Sequence, residues 1–89
     1  MIKLTAADYV QGNEIRLRFS DGSSGVLDFT HFVTAGTSMT EPLRDTKFFR
    51  RFFIELGALA WPNGFDLSAA SLQKRLKEAG RLARNSEAA

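Results

Sequence analysis

With 89 residues the chain has the length of one domain. A domain this short buries only roughly 60% of the surface its unfolded chain exposes, so its stability should be modest. The sequence has no cysteine, which removes disulfides, thiolate catalysis and cysteine-ligated metals. No stretch approaches the roughly 20 apolar residues of a membrane helix, and the N-terminal residues lack the apolar run of a signal peptide, so a cytoplasmic protein is expected. The formal charge is +2 but unevenly placed: residues 1–43 hold three basic and five acidic groups, residues 44–89 nine and five. Such asymmetry marks either a polyanion-facing end or a solvated helix face with a basic tail.

In chain order, Ile2 to Val10 reads as a strand, with Ile2, Leu4 and Ala6 alternating with Lys3 and Thr5. Gln11-Gly12-Asn13 is turn chemistry. Glu14 to Phe19 alternates almost perfectly, with Ile15, Leu17 and Phe19 on one side and Glu14, Arg16 and Arg18 on the other. Asp21-Gly22 is a hairpin signal, and Ser24 to Phe29 is the return strand, in which Gly25 suggests a bulge. The first third is therefore a three-stranded antiparallel meander.

Asp28 or Thr30 can cap a single helical turn through His31, Phe32 and Val33. Ala35 to Ser38 reads as a polar loop, and Glu41-Pro42-Leu43 as extended, because proline disfavours a helical residue before it. Between Asp45 and Leu56 two readings compete. One is a short helix capped by Asp45 or Thr46 and followed by a strand from Phe52, turned at Gly57-Ala58 and paired with Leu59 to Trp61. The other is a continuous helix to Leu56. Trp61-Pro62-Asn63-Gly64 suits the four positions of a β-turn. Ser68 is a good N-cap, with Leu67 and Leu72 as a hydrophobic staple. From there a helix carries Ala69, Leu72, Leu76 and Ala79 as its apolar stripe, and Gly80 suits its end. Residues 81–89 are expected to form a frayed or disordered tail to a domain of residues 1–80.

The Trp61-Pro62-Asn63-Gly64-Phe65-Asp66-Leu67 segment lies between a phenylalanine-rich run and a helix containing Leu72. Upstream, Tyr9, Ile15-Leu17-Phe19, Asp21-Gly22, Val26-Leu27-Asp28 and Leu43-Arg44-Asp45 follow in order. Together they resemble the bacterial family known as domain of unknown function 2442, across about residues 2 to 78. The resemblance implies a small α+β fold, in some members joined to a helix-turn-helix domain, with no assigned activity or ligand. It also implies genes lying beside those of another small family, in an arrangement resembling toxin–antitoxin pairs.

Four sets of residues are candidates for function. His31, the one histidine, could form a dyad with Asp28 or be plain polar surface. Trp61, Asn63 and Asp66 could line a shallow ligand pocket, with Trp61 as a stacking platform. They could equally be structural, the tryptophan in the core and the polar groups bonding the turn. Lys74, Lys77, Arg81 and Arg84 could form a basic stripe that rests on phosphates, or a solubilising helix face. Arg44, Lys47, Arg50 and Arg51 interleave with Phe48, Phe49, Phe52 and Phe53, a pattern that suits single-stranded nucleic acid but also buried rings beside exposed charges. No glycine-rich phosphate loop, metal-ligand cluster or paired carboxylates appear, so neither an enzyme nor a cofactor or metal is expected.

The expected architecture is a two-layer α+β domain: one mostly antiparallel sheet of about five strands, packed against the C-terminal helix. Its expected core is Leu4, Ile15, Leu17, Phe19, Leu27, Phe52, Ile54, Leu59, Trp61, Leu72 and Leu76. The function expected is a protein–protein interaction module, in the manner of one member of a toxin–antitoxin-like pair, with a small neighbouring protein as partner. The alternatives are an accessory nucleic-acid binder using the basic helix, and a small-ligand domain near Trp61 and Asp66. Either a monomer or a homodimer fits, and no membrane role is expected.

Overall fold

The computed structural model describes residues 1–84. The alternating first third folds as expected into an antiparallel meander of β1 (Leu4–Gln11), β2 (Glu14–Phe19) and β3 (Ser23–Asp28). Ile15, Leu17 and Phe19 are buried on one face while Arg16 and Arg18 are exposed on the other. In β1 the phase shifts. Leu4 pairs with Phe19 and Ala6 with Arg18, leaving Thr5 as an extra, bulged residue. Ala7 and Tyr9, not Ala6, therefore lie opposite Leu17 and Ile15 on the core side.

β3 runs through Gly25 without the expected bulge, Leu17 pairing with Gly25 in register. The glycine answers a different need. A Cβ there would lie 2.5 Å from the Arg81 carbonyl oxygen and 3.1 Å from Leu76 Cδ2, so the later chain crosses β3 where only a hydrogen fits.

After β3, Asp28 Oδ1 accepts from Thr30 N (2.9 Å) and Thr30 Oγ1 (2.6 Å), setting off the single turn α1 (Thr30–Val33). Thr37 and Thr40 knit the following loop by reciprocal backbone-to-hydroxyl bonds, each 3.1 Å. Glu41–Arg44 forms a 3-10 turn, not the expected extended segment. Pro42 sits in its first turn, where a missing N–H leaves no bond unmade. Asp45 then caps α2 (Thr46–Phe49) by accepting from Lys47 N at 3.0 Å.

The continuous helix to Leu56 does not form. The chain leaves α2 at Arg50 and enters a hairpin of β4 (Phe53–Glu55) and β5 (Ala58–Ala60). The hairpin turns at Leu56-Gly57, one residue earlier than the sequence suggested, with φ of +51° and +82°. Two consecutive positive values are the mark of the tight turn whose twist matches paired strands.

β5 also pairs with the short β6 (Asp66–Leu67). Ser68 caps α3 (Ala69–Glu78), its Oγ accepting from Ser71 N at 3.2 Å. At the far end Gly80 N donates to Lys77 O and Arg81 N to Leu76 O. These paired bonds close the helix in a left-handed cap at Gly80, φ +69°. The tail expected from residue 81 includes a short strand: β7 (Ala83–Arg84) pairs with Ser24 and Ser23. Residues 85–89 lie outside the described residues.

The strands thus form two sheets, ordered β1-β2-β3-β7 and β4-β5-β6, where a single five-stranded sheet was expected. The Leu4 N to Gly57 O bond, 2.9 Å, ties one to the other. The α+β class, the antiparallel pairing and the C-terminal helix stand as expected. The core gathers Ile15, Leu17 and Phe19 of the meander, Leu72 and Leu76 of α3, and Leu59 and Trp61. Of the expected core, Phe52 is only half-buried and Ile54 is exposed. Phe29, Leu43 and Phe49, which the irregular segments supply, are buried instead. Phe29, Phe49 and Trp61 form a mutual triangle with ring centroids 6.0–6.1 Å apart, a separation that favours tilted and edge-on aromatic pairs.

Candidate functional site

Trp61 is buried, 1% exposed, and its Nε1 donates to Phe49 O at 2.8 Å. No face of the ring is open to a ligand, so it does not serve as a stacking platform. Asn63 is spent on structure as well. Its Oδ1 accepts from Phe65 N at 3.2 Å, and its Nδ2 donates to Met39 O at 2.9 Å, pinning the 34–40 loop to the turn. The Gly64 N to Trp61 O bond (3.0 Å) closes that turn, and Trp61 N to Phe65 O (2.9 Å) closes its base. Asp66 is exposed on β6. The motif is therefore a fastening between the hairpin, the loop and α2, and its three candidate residues do not converge on a pocket.

Asp28 accepts from Thr30 just before α1, and the Thr30 hydroxyl and N–H, with Arg81 adding a smaller share, hold its carboxyl below the usual range. His31 is exposed, its ring edge-on to Phe32 at 5.5 Å. No bond joins Asp28 to His31 among the described residues. In the basic–aromatic stretch Phe49 is buried, Phe48 and Phe52 are half-buried, and the arginines are exposed. Arg50 lies 4.4 Å over the Tyr9 ring, a cation–π contact. That stretch is mostly core rings beside surface charges, with Phe53 the exception.

Two surfaces remain. The first is the β4–β5 hairpin. Phe53 is 42% exposed, Ile54 36% and Leu56 94%, and β4 is the edge of its sheet, with β5 on one side and no strand paired on the other among the described residues. Leu56 stands at the turn tip in a left-handed conformation, where asparagine or glycine would be cheaper and more soluble. A Cβ at Gly57 would meet the Lys3 side chain at 2.7 Å, so the N-terminal segment packs closely against this turn. A shallow apolar depression of about 260 Å³ lies beside it, lined by Ile2, Lys3, Leu56, Ala58 and Ala69 among others.

The second surface is a groove of about 580 Å³ between α3 and β7, lined by Ala70, Gln73, Lys74, Lys77, Leu82 and Arg84 together with Gly80. It unites three of the four basic residues singled out in the sequence. Arg81 does not line it; its charge acts on Asp28, at the other end of β3. One side of the groove is fastened by a polar network. Asp21 Oδ1 accepts from Ser23 N (2.9 Å) and Ser23 Oγ (2.6 Å), and its Oδ2 accepts from Gln73 Nε2 (2.9 Å) and lies 3.7 Å from Arg84 Nη1. Gln73 Nε2 also reaches Ser23 Oγ at 2.9 Å, and Ser23 is fully buried. The Ser23 hydroxyl and N–H, then Gln73 and Arg84, hold the Asp21 carboxyl down at about 2.

Sequence reasoning missed the exposed hairpin tip and the Asp21–Gln73 fastening. The first was signalled by a leucine beside Gly57, where a turn calls for a polar residue. The second joins residues 52 positions apart and leaves no local signal.

No curated protein and no solved structure matches the chain. Residues 4–78 match the family described as Protein of unknown function (DUF2442), a span that takes in the meander, both connecting turns, the Trp61 fastening and α3, and the chain belongs to that family.

Proposed function

We propose that this domain is a protein–protein interaction module that binds a small protein partner through the β4–β5 hairpin, in the manner of one half of a toxin–antitoxin-like pair. The observation that carries this reading is Leu56: a large apolar side chain, almost wholly exposed, held at φ +51°. A leucine at positive φ is a local cost without a folding benefit of its own, and a partner that covers it would supply the compensation. Phe53 and Ile54 of β4 are exposed as well, on opposite faces of the strand, and add apolar area on either side of the hairpin, where apolar side chains suit the centre of an interface.

The test is co-purification with the product of the neighbouring gene, using wild-type chain and Leu56→Asn. Asparagine suits the turn, so this variant removes the apolar tip without weakening the fold. Co-elution of the wild type and its loss in the variant is the expected result. Equal retention of the two chains removes the hairpin from the interface, and clean separation of the wild type at micromolar concentration refutes the partnership.

A further inference from the structure

We propose that the α3–β7 groove is a second binding site, independent of the hairpin, and that it takes the phosphate backbone of a nucleic-acid strand, with Lys74, Lys77 and Arg84 as its charge contacts. Lys74 and Lys77 stand one helical turn apart on α3 and are exposed, so they are neighbours on one face. Arg84 is brought to the same groove by β7. At 3.7 Å from Asp21 its ion pair is loose and half-exposed, which leaves guanidinium donors for a second anion. Asp21 directs its own acceptor capacity to Ser23 and Gln73. Glu78, next to Lys77, is the one carboxylate on α3. The positive charge at the groove therefore exceeds the negative.

The form of the site selects a polymer over a single small phosphate. The groove runs the length of α3, from Ala70 in its first turn to Gly80 beyond its end, and Gly80 N is already committed to Lys77 O. The ten residues of α3 rise about 15 Å, a span that one phosphate cannot fill. Three side-chain cations along an open groove, with Ala70 and Leu82 as apolar lining, suit successive phosphates of one strand. Such contacts are sequence-blind and weaken with salt.

The full chain is titrated into a labelled random-sequence oligonucleotide by fluorescence anisotropy, at salt from about 50 to 200 mM. Three phosphate contacts predict a slope of log K against log salt of about −2 for a single strand, falling to about −0.7 in Lys74→Gln/Lys77→Gln. Both lysines are exposed, and circular dichroism checks that the variant folds. Arg81→Gln, outside the groove, is expected to keep the slope near −2. No binding at the lowest salt overturns the proposal, as does an equal loss in Arg81→Gln, which would mean diffuse charge. Equal affinity for polyglutamate would assign the groove to acidic peptides, and equal affinity for a mononucleotide would assign it to a single phosphate. Either result refutes the strand.

Discussion

Gly25→Ala tests the crossing that builds the groove. In an ordinary strand this change stabilises, by about 0.5–1 kcal/mol, because alanine has less freedom to lose. Here the new methyl would sit 2.5 Å from the Arg81 carbonyl oxygen and 3.1 and 3.3 Å from the two Leu76 methyls. The Leu76 side chain is fully buried. Arg81 is held by its own N–H on Leu76 O at 2.9 Å, and two residues later β7 pairs with β3. Neither neighbour can withdraw without loosening the helix cap or the strand. Overpacking of this kind costs about 1–3 kcal/mol, so the net change should be a loss of about 1–2 kcal/mol. For a domain of this size that lowers Tm by roughly 5–15 °C. Reversible thermal unfolding by circular dichroism gives the answer. A Tm equal to or above that of the wild type would show that the crossing has room, and would remove the reason given for a glycine in β3.

Trp61→Phe should cost about 2–4 kcal/mol, because it strands the buried Phe49 carbonyl and leaves part of the ring's volume empty; the urea midpoint measures it, and an unchanged midpoint would contradict the fastening role. Leu56→Asn should raise Tm by a few degrees, since it relieves a left-handed leucine worth about 1 kcal/mol; a lower Tm would mean that Leu56 supports the fold. Asp21 has a folded-state pKa of about 2 against an ordinary 3.8, so its contribution is fully present above the higher value and is lost as pH falls from about 4 through 2. Tm followed over that acid range should fall more steeply for the wild type than for Asp21→Asn, whereas parallel curves would show that the Ser23–Gln73 network does not depend on the carboxylate.

Legibility of the fold followed periodicity. The Ile15-Leu17-Phe19 alternation and the Leu72–Leu76 stripe fix the meander and α3, because a period of two or of 3.6 states both the element and its buried face. Phe29, Leu43 and Phe49 escaped because they enter the core from a strand end and from single turns, which have no period to read. Phe52 and Ile54 were misplaced for the converse reason: hydrophobicity alone does not say which apolar residues a sheet edge leaves outside. The one-sheet expectation failed for want of any local mark of which strands pair across the core.

The candidate sites divide in the same way. For Trp61 and Asn63 residue type alone suits a ligand contact or a structural role, and the Trp61–Phe49 and Asn63–Met39 bonds, which commit both side chains to the fold, are tertiary. Lys74, Lys77 and Arg84 were legible as charges, but their separation from Arg81 depends on the turn at Gly80 and the return of β7 to β3. That placement belongs to tertiary structure.

The interaction claim is tested most directly by following backbone amide shifts of the labelled chain as the neighbouring gene's product is added. The hairpin reading predicts that the largest changes cluster from Phe53 to Ala58, with Lys3 beside them, while the amides of α2 and the Trp61 turn hold their positions. Saturable binding whose shifts lie elsewhere on the surface and spare Leu56 would contradict it.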